Sequence, residues 1–339
     1  MNRLDILDKA VILECEVHDC VAELYLNGVP VGLCGLGASR KAAIPVQEFL
    51  IDGVNEIAVL INPGDAPATS LEASAQESAA WGARPPMDPA TAEFADVQDE
   101  PKPDPDAEEF PDPDLDDVSG AKRWTERHIN FDVEGLPAKP TTTVSARLVQ
   151  YAIGSIPGQD EGEALISIGW DAHPQFENVR REPRPYPRWV RGDQNLGKAY
   201  GPLHWQTSDK LKLDADTLAG AKGFVAEVIT HLEGGNVDPI LALSKERFRE
   251  VCRAYGLDRA KRVAALKHLV AEGKHKRNWL FETPADDEWS FRLCADDRLI
   301  ECVGPDWKPV VREVPQGEEG RFLYPMMLGK VGGAWRIMR

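Results

Sequence analysis

The chain lacks any apolar run close to the roughly 20 residues that a membrane-spanning helix needs. It also begins without the uninterrupted apolar core of a secretory signal peptide, because Arg3, Asp5, Asp8 and Lys9 break up its start. From these two absences we predict no membrane contact and a cytoplasmic location, and we interpret the chain as a bacterial cytoplasmic protein.

Cysteines are few and dispersed: the 339 residues contain six, and no two of them form a Cys-x-x-Cys pair. Five lie inside apolar runs, where a thiol behaves as a small hydrophobic side chain: Cys15, Cys34, Cys252, Cys294 and Cys302. We therefore expect buried, reduced thiols rather than disulfides. His18 and Cys20 alone supply too few ligands for a structural zinc, so we predict no metal.

Motifs that would identify an enzyme are also missing. The sequence contains no HExxH, GxSxG or EF-hand spacing, and the glycines of residues 32–39 precede no helical pattern that could hold a phosphate. We accordingly predict no cofactor and leave the enzyme question open, with a non-catalytic role favoured.

What the chain does contain is a strongly acidic tract. Twelve carboxylates lie between Glu93 and Asp117 against one lysine, Lys102, and they supply eleven of the seventeen excess negative charges of the chain. Residues 64–122 show no apolar alternation and are rich in proline and like charges. Such a segment cannot bury enough apolar surface to offset its ordering entropy, so we predict a disordered acidic insertion or linker.

Short alternating apolar bursts between residues 10 and 62 predict five antiparallel strands, with Asn27-Gly28 as a hairpin turn. The hairpin sequence YLNG and the later strand of residues 49–64 resemble the galactose-binding-like jelly roll, a module attached to many glycoside hydrolases. The resemblance implies an all-β sandwich. It covers about 55 residues, and no sugar-contacting residue can be assigned from it.

Alternation resumes at residues 141–154 and 163–170. We assign residues 1–63 plus 123–175 to one β-sandwich, which makes the acidic tract an insertion within it. The alternative is that the tract links two separate β units. Residues 176–209, rich in arginine, proline and aromatic residues, are assigned to a basic connector.

From Leu213 onward the apolar period becomes 3.6, with Asp214 or Asp216 as N-cap and Gly234 as the end of a first helix. Helices at 239–255 and 258–272 follow, and strand-like bursts then continue to the end, an α+β order. The segments 232–243 and 329–339 resemble the nuclear transport factor two-like superfamily, which includes ketosteroid isomerase and SnoaL-type enzymes. That resemblance implies a cone-like α+β domain over residues 210–339.

A cone of this type would need an ionisable group pointing into an apolar cavity. The candidates that we assign to a ligand pocket are Trp289, Glu301 and Tyr324. Each also has a structural interpretation: an outward strand position for Glu301, and core aromatic residues for Trp289 and Tyr324.

Residues 245–277 carry eleven Lys and Arg against four Asp and Glu, an excess of seven positive charges. Together with the connector they predict a basic partner-binding surface, made of Arg184, Arg188, Trp189, Arg249, Arg253, Lys261 and Arg262. The alternatives are a solvated helix face, an intramolecular contact with the acidic tract, and nucleic-acid binding, which the net charge of −17 disfavours.

These observations favour a non-catalytic protein-binding, adaptor or immunity-type protein. One alternative is a small-molecule binder or isomerase-like or cyclase-like enzyme using the C-terminal cone. Another is a carbohydrate-binding module.

Overall fold

The computed structural model describes residues 9–35, 40–63, 141–172, 188–199, 201–276, 279–282, 285, 288–304, 309–314 and 322–339. Within this part of the chain the protein is mostly β-sheet, and its α-helices lie in the C-terminal half. The predicted insertion at 64–122 lies outside the described residues.

Two four-stranded antiparallel sheets form the N-terminal half, with orders β4-β1-β6-β7 and β3-β2-β5-β8. The strands are β1 (Lys9–His18), β2 (Cys20–Leu26), β3 (Val29–Cys34), β4 (Lys41–Pro45), β5 (Val54–Pro63), β6 (Thr143–Ala152), β7 (Glu163–Asp171) and β8 (Arg188–Asn195). The five strand predictions between residues 10 and 62 are confirmed.

The two sheets share one apolar core, which makes them a β-sandwich. Alternate residues of β1 and β6, such as Leu13 and Leu148, point inward and meet alternate residues of β2 and β5, such as Leu24 and Val59. Each of these four side chains is almost completely buried, so burial of apolar surface is the main force that holds the sheets together.

Asn27 and Gly28 form the predicted hairpin turn between β2 and β3, both at positive φ. The Asn27 side chain donates to the Asn55 side-chain oxygen at 2.9 Å and to the Phe49 carbonyl at 2.8 Å. Asn55 in turn donates to the Ile51 carbonyl at 2.9 Å. The two asparagines therefore have structural roles, because they fix the hairpin tip to the turn before β5.

β6 pairs with β1 along all ten of its residues, from Thr143 opposite His18 to Ala152 opposite Lys9. Since β5 ends at Pro63 and β6 begins at Thr143, residues 64–142 connect two strands of the same sandwich.

The assignment of residues 176–209 wholly to a connector is wrong for residues 188–195, which form the edge strand β8 paired with β5. The sequence conceals this strand because Val190 is its only aliphatic residue in contact with the core. Gly192 lies on the same inner side, where a Cβ would meet the Ile168 side chain at 2.4 Å.

The C-terminal half contains α1 (Ala215–Gly234), α2 (Val237–Leu243), α3 (Lys245–Ala254) and α4 (Arg259–Lys276). They precede β9 (Phe281–Glu282), β10 (Ser290–Cys294), β11 (Leu299–Val303), β12 (Arg312–Glu313), β13 (Met327–Val331) and β14 (Ala334–Ile337). The antiparallel sheet has the order β10-β11-β13-β14, and β9 pairs with β12 separately. The predicted order of helices first and an antiparallel meander second is confirmed.

Asp214 is the N-cap of α1, since its carboxylate accepts from the Thr217 amide at 2.8 Å. The helix ends at Gly234, as predicted, and Gly235, with φ of 72°, is its C-cap. The predicted helix at 239–255 is two helices, because α2 ends at Ser244, where α3 begins. The Ser244 hydroxyl donates to the Ile240 carbonyl at 2.6 Å and so caps the end of α2.

One apolar cluster joins the two halves. Val29 from the sandwich packs with Trp205, Leu299 and Met338 from the C-terminal half. The Ala295 amide donates to the Gly28 carbonyl at 2.9 Å, so the tip of the β2–β3 hairpin rests on the β10–β11 turn. Among the residues that the structure describes, no helix is long and apolar enough to cross a membrane.

Candidate functional site

The three residues assigned to a ligand pocket lie on two different faces of the C-terminal sheet. Trp289 and Tyr324 pack with the cluster between the sheet and the helices. Glu301 lies on the opposite face, because its neighbours Ile300 and Cys302 point into that cluster. The structure therefore brings Trp289 and Tyr324 to one core but separates Glu301 from them.

Tyr324 belongs to an aromatic stack within that core. Its ring lies 6.2 Å from Phe322, which stacks on Trp279 at 4.5 Å, and the Arg247 guanidinium lies 5.8 Å above the Tyr324 ring. Burial raises the pKa of Tyr324 and keeps its hydroxyl neutral. Its surroundings are those of a packed core aromatic residue.

Trp289 has a similar setting nearer the surface. Its ring is almost parallel to Phe291 at 5.8 Å, and the Lys222 ammonium lies 5.6 Å from it. Both neighbours give Trp289 a packing role within the C-terminal half.

Glu301 belongs to a buried ionic network that joins the two halves, which we call the Arg292 network: Glu23, Tyr25, Arg292 and Glu301. Arg292 donates to Glu301 through Nε at 3.0 Å and Nη2 at 2.5 Å. Its Nη1 donates to the Tyr25 hydroxyl at 2.7 Å and also to the Glu23 carboxylate. Tyr25 donates to the same carboxylate at 2.7 Å.

The two proton donors of this network, Tyr25 and Arg292, keep their protons. Burial raises the pKa of Tyr25, and the charge of Glu23 raises it further. Burial alone would lower the pKa of Arg292, but Glu301 and Glu23 raise it by more. Neither Tyr25 nor Arg292 is poised to release a proton near neutral pH. The ion pairs and hydrogen bonds of the network therefore have a structural role, which is to hold the two halves together.

The candidates Arg188 and Trp189 occupy adjacent positions of β8 and point to opposite faces. The Arg188 guanidinium lies 5.7 Å from the Trp170 ring, on the core side. Trp189 is 42% exposed and packs between Tyr25, at 4.9 Å, and the Arg191 guanidinium, also at 4.9 Å. The third connector candidate, Arg184, lies outside the described residues.

The remaining candidates lie on α3 and α4. Arg249 forms an ion pair with Glu246 on the same helix. Arg253, Lys261 and Arg262 have no carboxylate at ion-pair distance in the described part of the chain, and the same holds for Arg259, which sequence reasoning missed. These last four residues, all close to the turn between α3 and α4, define what we call the basic surface: Arg253, Arg259, Lys261 and Arg262.

Further along α4, three lysines have partners among the described residues. Lys267 pairs with Asp238 at 2.7 Å, Lys276 pairs with Glu272 at 2.5 Å, and Lys274 donates to the Gly234 carbonyl at 2.6 Å. Within α4, the cations without a carboxylate at ion-pair distance in the described part of the chain are therefore Arg259, Lys261 and Arg262 at its N-terminal end, and Lys274, whose ammonium donates to a carbonyl. The sequence excess of seven charges over 245–277 could not show this distribution, because the partner Gly234 comes from α1 and the partner Asp238 from α2.

The dipole of α4 adds positive electrostatic potential at the same end of the helix. The N-terminus of a helix carries a partial positive charge, which acidic side chains normally offset. Within its first turn α4 has no acidic residue. Only the preceding Asp258 accepts from the amides of Ala260, at 2.8 Å, and Lys261, at 3.1 Å. Three cations thus occupy the helix end where they are least favourable, a distribution that attracts anions.

Across the described residues, His, Cys, Asp and Glu side chains form no group of three or more that could hold a metal ion. All six cysteines are free and buried. Burial raises the pKa of Cys302 to about 12, which keeps that thiol protonated and unreactive.

Comparison of the chain with protein-family models, with curated proteins and with solved structures found no match.

Proposed function

We propose that this protein is a non-catalytic protein-binding protein, of adaptor or immunity type, in a bacterial cytoplasm. The observation that supports this proposal is the basic surface, where four cations that have no carboxylate at ion-pair distance in the described part of the chain lie on either side of the α3–α4 turn. The partner that this chemistry would recognise is an acidic protein segment.

Each ion pair in the expected contact is weak, and the affinity comes from several pairs acting together. An exposed ion pair contributes about 0–1 kcal/mol, so four pairs acting together are needed for measurable affinity. Charge complementarity of this kind raises the association rate and selects the partner more than it raises affinity. Salt should weaken it, because the screening length is only about 8 Å at physiological ionic strength.

The chain itself contains a segment of the right chemistry, the acidic tract of residues 93–117 with twelve carboxylates. As part of the proposal, this tract competes with an external partner for the basic surface. It lies outside the described residues, so it serves here as a source of a probe peptide.

The finer fold assignments belong to the same proposal. Two four-stranded sheets around one core support a jelly-roll-like sandwich, and an antiparallel sheet with helices packed on one face supports a cone-like domain. Six free thiols support the location of the protein in a reducing compartment.

A fluorescently labelled peptide of residues 93–117 tests the proposal by anisotropy titration against the full-length protein at low salt. We expect saturable binding that weakens as salt is added. The double variant Arg253→Glu/Arg262→Glu should weaken it by about tenfold or more, since two attractive contacts become repulsive.

Two controls accompany this titration. A peptide in which every Asp and Glu is replaced by the corresponding amide should not bind. Arg249→Glu changes the same charge at a site already paired with Glu246, so it should weaken binding less than either reversal in the basic surface. Equal affinity of wild type and the double variant would rule out the basic surface as the binding site.

A further inference from the structure

The turn between α3 and α4, which carries the basic surface, is attached to the β-sandwich. The Tyr255 hydroxyl donates to the Glu48 carboxylate. The side chain of Gln47 donates to the Ala254 carbonyl at 3.2 Å. Both sandwich residues belong to a short 3-10 helix, Gln47–Phe49, between β4 and β5.

The hydrogen bond from Gln47 lies at the end of α3, where backbone carbonyls need partners from outside the helix. The last four carbonyls of an α-helix have no partner within the helix, and Ala254 is the final residue of α3. Gln47 satisfies that carbonyl from the other half of the protein and also donates to the Lys9 carbonyl at 3.1 Å. The end of α3 is thereby joined to the start of β1.

A buried ion pair holds the same helix one turn earlier. Arg339 donates to Glu250 at 2.5 Å, and both side chains are at most 3% exposed. Glu250 also accepts from the His204 amide at 2.5 Å, while Arg339 donates to the Glu48 carbonyl at 3.3 Å. Glu48 is therefore held by its main chain and by its side chain, and it presents a fixed acceptor to Tyr255.

We propose that Tyr255, Glu48 and Gln47 are positioning residues for the basic surface, so that the sandwich determines how the α3–α4 turn presents its charges to a partner. Arg253 lies two residues before Tyr255, and Arg259 lies four residues after it. Tethering Tyr255 limits the movement of both cations relative to each other. A contact made of several weak ion pairs gains affinity from such preorganisation, because less ordering entropy is lost on binding.

This inference rests on the proposed function and refines it. The basic surface would be a composite feature of both halves, although all four of its cations come from the C-terminal half. A change within the sandwich, far along the sequence from residues 253–262, should then alter partner binding.

The test uses the full-length protein with Tyr255→Phe, which removes the donor and keeps the ring. We expect affinity for the labelled 93–117 peptide to fall about fivefold, the equivalent of one lost hydrogen bond. We also expect faster amide hydrogen exchange over residues 255–262 without peptide. Glu48→Gln keeps an acceptor for Tyr255 and should retain most of the affinity.

Tyr25→Phe is the matched control. Tyr25 also donates to a glutamate, Glu23, at the junction of the halves, but it reaches β10 through Arg292 and not the α3–α4 turn. It should lower thermal stability without changing peptide affinity or exchange over 255–262.

The outcomes separate the two proposals. If Arg253→Glu/Arg262→Glu loses no affinity, the proposed function fails. If that variant loses affinity while Tyr255→Phe behaves like Tyr25→Phe in both measurements, the positioning role is wrong. If the wild type does not bind the peptide, hydrogen exchange still tests the positioning role. Unchanged amide exchange over residues 255–262 in Tyr255→Phe would contradict the view that Tyr255 holds the turn.

Discussion

Replacing Arg292 with alanine removes the guanidinium that links Glu23 of the sandwich to Glu301 of the C-terminal sheet. The Glu23 side chain is 2% exposed and that of Glu301 is 16% exposed, so water cannot fully replace the lost cation. Removing one partner of a buried pair typically costs about 3–5 kcal/mol, because the remaining charge stays desolvated. We expect Arg292→Ala to lower the free energy of unfolding by this amount.

A loss of that size is a large share of the roughly 5–15 kcal/mol that stabilises an ordinary protein. For a folded unit of this size, 1 kcal/mol corresponds to about 2–4 °C, so the thermal midpoint should fall by on the order of 10 °C. Urea denaturation followed by tryptophan fluorescence measures the free energy, and calorimetry measures the midpoint.

The control is Arg191→Ala, which breaks an ion pair with Glu56 whose side chains are 55% and 37% exposed. Exposed pairs contribute about 0–1 kcal/mol, so this variant should be nearly neutral. A cost for Arg292→Ala no larger than that of Arg191→Ala would refute the view that the Arg292 network holds the halves together.

Three further variants test other parts of the structure. Gly28→Ala should lower the free energy of unfolding by about 1 kcal/mol or more, because φ is 73° and a Cβ would lie 3.3 Å from Ala295, as chemical denaturation would show. Asp214→Ala removes the α1 cap and should cost about 1 kcal/mol in the same assay, whereas Asp214→Asn, which can still accept from Thr217, should cost less. Burial raises the pKa of Glu48 despite the opposing hydrogen bond from Tyr255. The contribution of Glu48 to the free energy of unfolding is therefore present at low pH and is lost as pH rises from about 4.3 through the folded-state pKa. Relative to Glu48→Gln, the wild type should become less stable over that rise, and parallel stability–pH curves would contradict the raised pKa.

Much of the fold was predictable because local rules and tertiary structure agree. Asn27-Gly28 adopts the turn that its residue types favour, and the face of α1 predicted from its 3.6 period is buried. Ser244 shows where periodicity fails, since the apolar pattern continues across two helices that a side-chain cap separates. β8 was missed because an edge strand can be mostly polar and still pair through its backbone.

The candidate site was less predictable because ion pairing depends on distant parts of the chain. Glu301 looked like an outward strand position, and only the approach of Glu23, far along the sequence, makes it part of a buried network. Arg249 and Arg253 look equivalent in the sequence, yet only Arg249 has an ion-pair partner in the described part of the chain.

The most direct test of the central claim is hydrogen exchange of the full-length protein with and without an excess of the 93–117 peptide at low salt. We expect added protection confined to residues 253–262 and its disappearance at high salt. Protection centred on β8 around Trp189, or no change over residues 253–262 at a peptide concentration that saturates the anisotropy signal, would contradict the claim.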